Sequence, residues 1–139
     1  MTSANDELLW PVRVYYEDTD AGGIVYYANY LRFFERGRTE WLRARGVESS
    51  RLAHELGVKF VVTAMQVQYR RPARLDDALT IATRVGAWGR ASLTFEQRAL
   101  RGDELLVAAQ VQAACVDVRT LSPRRLPATL LERLNRTLP

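Results

Sequence analysis

One long segment with helical periodicity lies among several segments with strand periodicity, and this arrangement limits the folds open to the chain. Between about residues 26 and 45, apolar side chains recur at spacings of three and four, which places them on one face of a helix. That predicted face consists of Tyr30, Phe34, Gly37 and Trp41, widened by Leu31 and Leu42. Gly46 follows at a position where glycine commonly ends a helix. We therefore predict a single long helix with a broad buried face.

Alternation of apolar and polar residues predicts a strand before this helix and four strands after it. In residues 11–18, the side chains of Val12, Val14 and Tyr16 fall on one face of an extended chain. The later strands, which follow a short helix at 49–56, are predicted at 58–71, 78–87, 90–101 and 104–117. The last of them is apolar on much of both faces, which predicts a central place in the sheet. A short closing helix is predicted to bury Leu126, Leu130, Leu131 and Leu134.

The order of these elements predicts an α+β fold. Hairpin-length connections between the four later strands favour an antiparallel meander. A five-stranded antiparallel sheet wrapped around one long helix is the hotdog fold, and we expect a single domain over residues 1–139. Because one helix covers only part of such a sheet, an oligomer is also expected.

Composition narrows the range of functions. The net charge is +4, from 20 Lys and Arg against 16 Asp and Glu, which is too mild to require nucleic acid but suits a small anionic ligand. No apolar run approaches the ~18 residues of a membrane helix, and the N-terminus MTSANDELLW lacks the apolar core of a signal peptide. Cys115, the single cysteine, can form no internal disulfide and has no companions for a zinc site. A cytoplasmic location is therefore expected.

The segment EDTDAGGIVYYANY, residues 17–30, combines acids and glycines where a strand gives way to the long helix. Glycines such as Gly22 and Gly23 allow positive φ and close approach of a ligand, and free N–H groups at a helix start stabilise an anion. A carboxylate just upstream, from Asp18 or Asp20, can act as a general base or a nucleophile. The same pattern also occurs where acids simply cap a helix and form a turn. Physical chemistry alone leaves both interpretations open.

The run VRVYYEDTDAGGIVYYANYLRFFERGRTEWL closely resembles the hotdog-fold acyl-CoA thioesterases of the YbgC and 4-hydroxybenzoyl-CoA thioesterase family, and YRRPARLDD and WGRASLTF are also similar to it. The resemblance implies that Asp20 is the catalytic aspartate and Tyr16 a site tyrosine. It implies that the backbone N–H of Tyr27 polarises the thioester carbonyl, at a position where YbgC proteins commonly carry histidine. It further implies that Arg90 and Ser92 contact the phosphates of coenzyme A, although a hairpin turn with a solvated arginine fits the same residues.

The function implied by the resemblance is hydrolysis of an acyl-CoA thioester to a free acid and coenzyme A, without a cofactor or a metal. The ligand groove would lie between subunits of a homodimer or homotetramer. The alternative is a non-catalytic protein that binds acyl-CoA or acyl carrier protein as a scaffold for Tol-Pal envelope machinery. Among the branches of the family, the chain most resembles the Tol-Pal-associated YbgC type, so a cytoplasmic location is expected, with a peripheral place at the inner membrane as an option.

Several other residues are weaker candidates. His54 is predicted on a helix surface, and Cys115 within the core. Trp88 precedes the WGRAS turn and is a candidate for lining the ligand groove. The arginines around Pro72 and near the C-terminus are expected to belong to charged turns, although phosphate binding stays open for them; they are Arg70, Arg71, Arg74, Arg124 and Arg125.

Overall fold

The computed structural model describes residues 6–136 of the chain. Its elements are strands β1 (Leu8–Arg13), β2 (Val58–Tyr69), β3 (Ala78–Trp88), β4 (Ser92–Arg101) and β5 (Glu104–Asp117), and helices α1 (Asn29–Ala44), α2 (Ser49–Leu56) and α3 (Ala128–Leu134). The domain limits predicted at 1–139 and part of the N-terminal segment MTSANDELLW lie outside the described residues. Within residues 6–136, no helix has the length and apolar character needed to cross a membrane.

The five strands form one antiparallel sheet in the order β1-β3-β4-β5-β2. This confirms the predicted α+β class and the five-stranded antiparallel hotdog sheet. The predicted four-strand meander is wrong at its first step, because β2 pairs with β5 rather than with β3. Residues 70–77 carry the chain from one edge of the sheet to a strand beside the other edge. β5 is an interior strand, but the central strand is β4, so the central place predicted for β5 is corrected.

Helix α1 packs its apolar face against the sheet, with Trp41 meeting Phe95 of β4 edge to face at 5.7 Å between ring centroids. Gly37 permits this close approach, since a Cβ there would lie 2.6 Å from the Thr83 hydroxyl oxygen. Leu31 was predicted on this face but is exposed, whereas Phe33, which was not predicted, is fully buried. The buried stripe is therefore rotated slightly from the one that the sequence predicted.

The segment between β1 and α1 is longer than predicted. Strand β1 ends at Arg13 and α1 begins only at Asn29, so the predicted strand at 11–18 and the helix start near 26 are both corrected. A one-turn 3₁₀ helix spans Tyr16–Asp18. The Tyr15 N–H donates to Asp18 Oδ2 at 2.8 Å, and this turn directs Tyr16 outward, 81% exposed, rather than onto the buried face with Val14.

Candidate active site

Asp18 clamps the two ends of the loop that precedes α1. Its carboxylate is buried, with Oδ2 accepting the Tyr15 N–H at 2.8 Å and Oδ1 accepting the Asn29 side-chain amide at 2.6 Å. Its carbonyl oxygen accepts the Tyr26 N–H at 2.9 Å. Three chain segments therefore meet at one residue, and both carboxylate oxygens are occupied. For Asp18, the interpretation as a capping and turn residue describes these contacts.

Asp20 lies two residues further on and has a different environment. A tight turn surrounds it, in which its N–H donates to the Ile24 carbonyl at 2.9 Å and its carbonyl accepts the Gly23 N–H at 3.0 Å. Gly23 has φ of +81°, a value that glycine adopts without strain. The Asp20 side chain is exposed; Oδ1 accepts the Gly22 N–H at 2.9 Å, and Oδ2 has no partner among residues 6–136. The turn thus fixes the carboxylate while leaving one oxygen available.

The return limb of the loop leads from this turn to α1. It is held against the segment after β2 by a hydrogen bond from the Val25 N–H to the Ala73 carbonyl at 2.9 Å. At its end, the Tyr26 carbonyl accepts the Asn29 N–H at 2.8 Å, and the Tyr27 carbonyl accepts the Tyr69 hydroxyl at 3.0 Å. Within the described part of the chain, the N–H groups of Tyr27 and Ala28 have no acceptor. Two consecutive donors are therefore free just before α1, where an anion is favoured.

A cavity of about 270 Å³ opens beside these donors. Its walls are formed by Ile24, Val25, Tyr27, Tyr30, Tyr69, Arg70, Arg71 and Pro72. The Tyr30 hydroxyl accepts the Ala73 N–H at 3.0 Å, so the tyrosine hydroxyls at 30 and 69 are bonded to backbone and their rings supply apolar wall. Burial raises the pKa of Tyr30, and burial together with the Tyr27 phenol raises the pKa of Tyr69, so both remain protonated at neutral pH.

Arg90 and Ser92 lie at the other end of the sheet. Arg90 lies in the turn between β3 and β4, and Ser92 is the first residue of β4, where its carbonyl accepts the Gly89 N–H at 2.9 Å. The Asp20 loop adjoins the start of β3, which is eleven residues long. At ~3.3 Å per residue, the two ends of that strand lie roughly 30 Å apart. The structure thus brings Asp20 and Tyr27 onto one loop, together with the exposed Tyr16, but leaves Arg90 and Ser92 remote from them within one chain.

Two of the five remaining arginine candidates form ion pairs. Arg71 meets Glu104 at 2.7 Å, and Arg124 meets Asp117 at 2.9 Å. Hydrogen bonds from the N–H groups of Arg119 and Thr120, and then Arg124 itself, hold the pKa of Asp117 below its usual value. These contacts agree with the charged-turn interpretation for Arg71 and Arg124. The side chains of Arg70 and Arg125 are exposed.

The other single candidates lie away from the loop. His54 is exposed on α2, and Cys115 is buried in β5, where burial raises the pKa of its thiol. Trp88 is half-buried at the end of β3, packed against the core. Among the residues that the structure describes, no group of three or more His, Cys, Asp or Glu side chains is placed to hold a metal ion.

Two residues at the site were not predicted from the sequence. Asn29 carries the amide that binds Asp18, and Tyr69 carries the hydroxyl that binds the Tyr27 carbonyl. The sequence places an amide side chain at the start of a predicted helix, shortly after two acids. This pattern could have identified Asn29. Tyr69 contacts a residue 42 positions away, and no local pattern reports such a pairing.

Comparison with known sequences agrees with the resemblance found in the motifs. A profile of the Thioesterase-like superfamily matches residues 14–134. The acyl-CoA thioester hydrolase YbgC of Escherichia coli O6:H1 is 49% identical over 123 residues, which cover 88% of this chain and 91% of that protein. The acyl-CoA thioesterase YbgC of Haemophilus influenzae is 47% identical over 118 residues, covering 85% of this chain and 87% of that protein.

Solved structures agree on the fold. A probable thioesterase from Bartonella henselae superposes with a TM-score of 0.83 at 42% identity, covering 87% of this chain and 99% of that one. A 4-hydroxybenzoyl-CoA thioesterase mutant in complex with 4-hydroxybenzoyl-CoA gives a TM-score of 0.86, covering 94% and 99%, and at 21% identity it supports the fold alone. The sheet and its central helix thus define a protein of the hotdog class. The chain belongs to the Thioesterase-like superfamily.

Proposed function

We propose that this protein is an acyl-CoA thioesterase, which hydrolyses an acyl-CoA to a free carboxylic acid and coenzyme A. The relatives at 49% and 47% identity carry the names acyl-CoA thioester hydrolase YbgC and acyl-CoA thioesterase YbgC, and the matches extend over most of both chains. The observation that carries the proposal is the loop before α1. Among residues 6–136, this loop holds an aspartate with one unbonded oxygen and two unbonded N–H groups, and its Tyr27 lines an apolar cavity.

In the proposed reaction, the thioester carbonyl oxygen accepts a hydrogen bond from the Tyr27 N–H. Negative charge develops on that oxygen in the transition state, so a donor held in place beforehand lowers the barrier. Asp20 acts by one of two routes. As a general base it takes a proton from water, which attacks the carbonyl carbon; as a nucleophile it attacks directly and forms an anhydride that water then opens. Either way, the carbon–sulfur bond breaks and the thiolate of coenzyme A leaves and takes up a proton.

Tyr27 and Tyr16, both near the loop, have different proposed roles. Tyr27 contributes its main chain, because the N–H belongs to the backbone and does not depend on the side chain. The Tyr27 phenol is exposed and lies near the phenol of Tyr26, whose pKa is raised by a hydrogen bond with it. Tyr16, carried over from the YbgC type as a site residue, is exposed on the 3₁₀ turn beside the loop, where it is open to a bound ligand or a second subunit.

Coenzyme A would be held by Arg90 and Ser92 of a second copy of the chain. Strand β2 is an edge strand of twelve residues, and a two-fold axis would pair it antiparallel with its own copy. The Tyr69 end of β2 lies at the Asp20 end of the sheet, and its Val58 end lies near the Arg90 turn. Antiparallel pairing therefore sets the Asp20 end of one subunit beside the Arg90 end of the other. A homodimer is the minimal unit, and a homotetramer would join two such dimers.

Sedimentation velocity tests this assembly. A dimer or tetramer at micromolar concentration is expected. A single species of 15.8 kDa, the mass of one chain, would contradict a site completed by a second copy.

The setting of the enzyme is also part of the proposal. Resemblance to YbgC proteins supports a cytoplasmic enzyme at the periphery of the inner membrane, beside the Tol-Pal machinery. Acyl carrier protein would be a second carrier of the acyl group. Comparing hydrolysis of acyl-CoA with that of the same acyl group on acyl carrier protein measures which carrier is preferred.

A steady-state assay tests the proposed activity. A panel of acyl-CoA thioesters with short, long and aromatic acyl groups would be incubated with the protein and a thiol reagent that reports free coenzyme A. The expected result is turnover of at least one thioester that is saturable and proportional to enzyme concentration. Binding without turnover across the panel would instead support the non-catalytic scaffold.

A further inference from the structure

We propose that Tyr69, at the end of β2, is a positioning residue for the oxyanion donor, because it holds the backbone of Tyr27 through its hydroxyl. The inference rests on the proposed thioesterase function. Tyr69 itself touches no reacting atom in this account. It acts through the peptide groups that lead into α1.

Two separate contacts join Tyr69 to Tyr27. The Tyr69 hydroxyl donates to the Tyr27 carbonyl oxygen at 3.0 Å. The two rings also meet edge to face, with 6.1 Å between their centroids and planes at 90°. The backbone and the side chain of Tyr27 are therefore both held by one residue of the sheet, 42 positions away in the chain.

The hydrogen bond fixes a peptide group that α1 leaves unsecured. Tyr27 and Ala28 precede the first residue of α1, so the helix does not use their N–H groups. The Tyr26 carbonyl is fixed by the Asn29 N–H, which orients the peptide that carries the Tyr27 N–H. The next peptide is planar and has its carbonyl on the Tyr69 hydroxyl, so rotation of the backbone at Tyr27 is restrained from both sides.

The proposed role of Tyr69 depends on the orientation of the N–H donor being fixed in advance. Preorganisation lowers the barrier because the donor needs no rearrangement as charge develops on the carbonyl oxygen. A hydrogen bond to the Tyr27 carbonyl also polarises the peptide it shares with the Ala28 N–H and strengthens that donor. Because Tyr69 remains a protonated donor through neutral pH, its effect should not vary between about pH 6 and 9.

The Tyr69 hydroxyl is not required for the packing of its ring. The Tyr69 ring also contacts the Tyr30 ring at 5.8 Å, and this contact is retained when the hydroxyl is removed. Tyr69 is 46% exposed, so water can replace its hydroxyl as a partner of the Tyr27 carbonyl. Removing the hydroxyl should therefore change stability little and loosen the loop.

The test compares Tyr69→Phe with Tyr15→Phe and wild type. The Tyr15 variant removes the hydroxyl of an exposed tyrosine before the same loop and serves as the matched control. For each protein, kcat and KM would be measured on the best acyl-CoA of the panel between pH 6 and 9, with Tm by circular dichroism. Amide NMR spectra would report the Tyr27 and Ala28 N–H groups without substrate.

For Tyr69→Phe we expect a roughly tenfold fall in kcat at every pH, with KM within about twofold, Tm nearly unchanged and the Ala28 amide signal shifted. Tyr15→Phe should match wild type. A Tyr69→Phe kcat within twofold of wild type, a loss confined to KM, or an unmoved Ala28 signal would overturn the positioning role while leaving the thioesterase proposal intact. No turnover by wild type would overturn the proposed function, and the role of Tyr69 with it.

Discussion

The two ends of the sheet contrast in how their candidate residues are held. At the start of β3, the loop with Asp20 is tied to β2 by the Tyr69 hydroxyl, and to the segment after β2 and to α1 by backbone hydrogen bonds, and it borders an apolar cavity. At the end of β3, Arg90 is an exposed side chain on a short turn. The first end holds its aspartate in a hydrogen-bonded turn, as bond-breaking chemistry needs, whereas the second offers an exposed charge suited to a solvated phosphate.

This contrast indicates where a single coenzyme A thioester would have to bind. Coenzyme A is long, with its thioester at one end and its phosphates at the other. Within one chain the two ends are separated by roughly 30 Å along β3. An arrangement in which one subunit supplies the acyl end and its partner the nucleotide end makes both regions parts of one site.

Asp20→Asn should remove most of the activity. The substitution keeps the size of the side chain and replaces the carboxylate oxygen that is proposed to act as base or nucleophile. A fall in kcat of about 10²–10⁴-fold is expected from the loss of base catalysis alone. Steady-state kinetics measure it, and circular dichroism should show an unchanged fold. A variant that keeps more than half of the wild-type kcat would refute the role of Asp20.

Substitutions of Tyr27 separate the backbone from the side chain. Tyr27→Pro removes the N–H and should lower kcat by about 10²–10³-fold, the usual effect of losing one oxyanion donor. Tyr27→Phe keeps the N–H and should retain most of the kcat. Proline is tolerated near a helix start, so the Tyr27→Pro variant is expected to fold. Circular dichroism checks that it does. A loss above about a hundredfold for the Phe variant, or roughly 2.7 kcal/mol, would assign the role to the phenol.

Asp18→Asn should mainly affect stability. A neutral amide has one acceptor oxygen and cannot accept from both the Tyr15 N–H and the Asn29 amide. The free energy of unfolding in urea should fall by about 1–3 kcal/mol, the cost of an unsatisfied buried group. Adding Asn29→Asp restores a donor–acceptor pair and should recover part of the loss. A double variant no more stable than Asp18→Asn would argue against the clamp.

Arg90→Ala should give the smallest effect, at the nucleotide end. Loss of a charge-assisted hydrogen bond to phosphate is expected to lower kcat/KM for acyl-CoA about tenfold, mainly through KM. The same acyl group on pantetheine, which lacks the nucleotide phosphates, should be hydrolysed equally by the variant and wild type. Equal losses on both substrates would show that Arg90 supports the fold rather than the phosphates.

The sequence predicted more of the fold than of the site, for a physical reason. Alternation along a strand is local, so the limits of β2 to β5 were predicted to within two residues. Strand pairing is not local, and the chain gave no sign that β2 pairs with β5 instead of β3. The inward orientation predicted for Tyr16 failed because the Asp18 carboxylate draws the chain into a turn.

The same distinction between local patterns and non-local contacts applies to the candidate site. Asp18 and Asp20 are two residues apart, and an extended chain would point them the same way. The folded loop instead buries Asp18 and exposes Asp20 through contacts with residues on both sides. Tyr69 escaped prediction because its partner belongs to a distant segment. The resemblance singled out Asp20, whereas the different contacts of Asp18 and Asp20 are visible only in the folded structure.

The most direct test of a site shared between two copies is complementation. Chains carrying Asp20→Asn and Arg90→Ala, with different affinity tags, would be co-expressed and the mixed dimer purified. If Asp20 and Arg90 serve one site from different subunits, the mixed dimer has one site with both substitutions and one with neither. Its kcat/KM for acyl-CoA should then be about half that of the wild-type dimer. A mixed dimer no more active than the mean of the two parent variants would place both residues of each site in one chain and contradict the account.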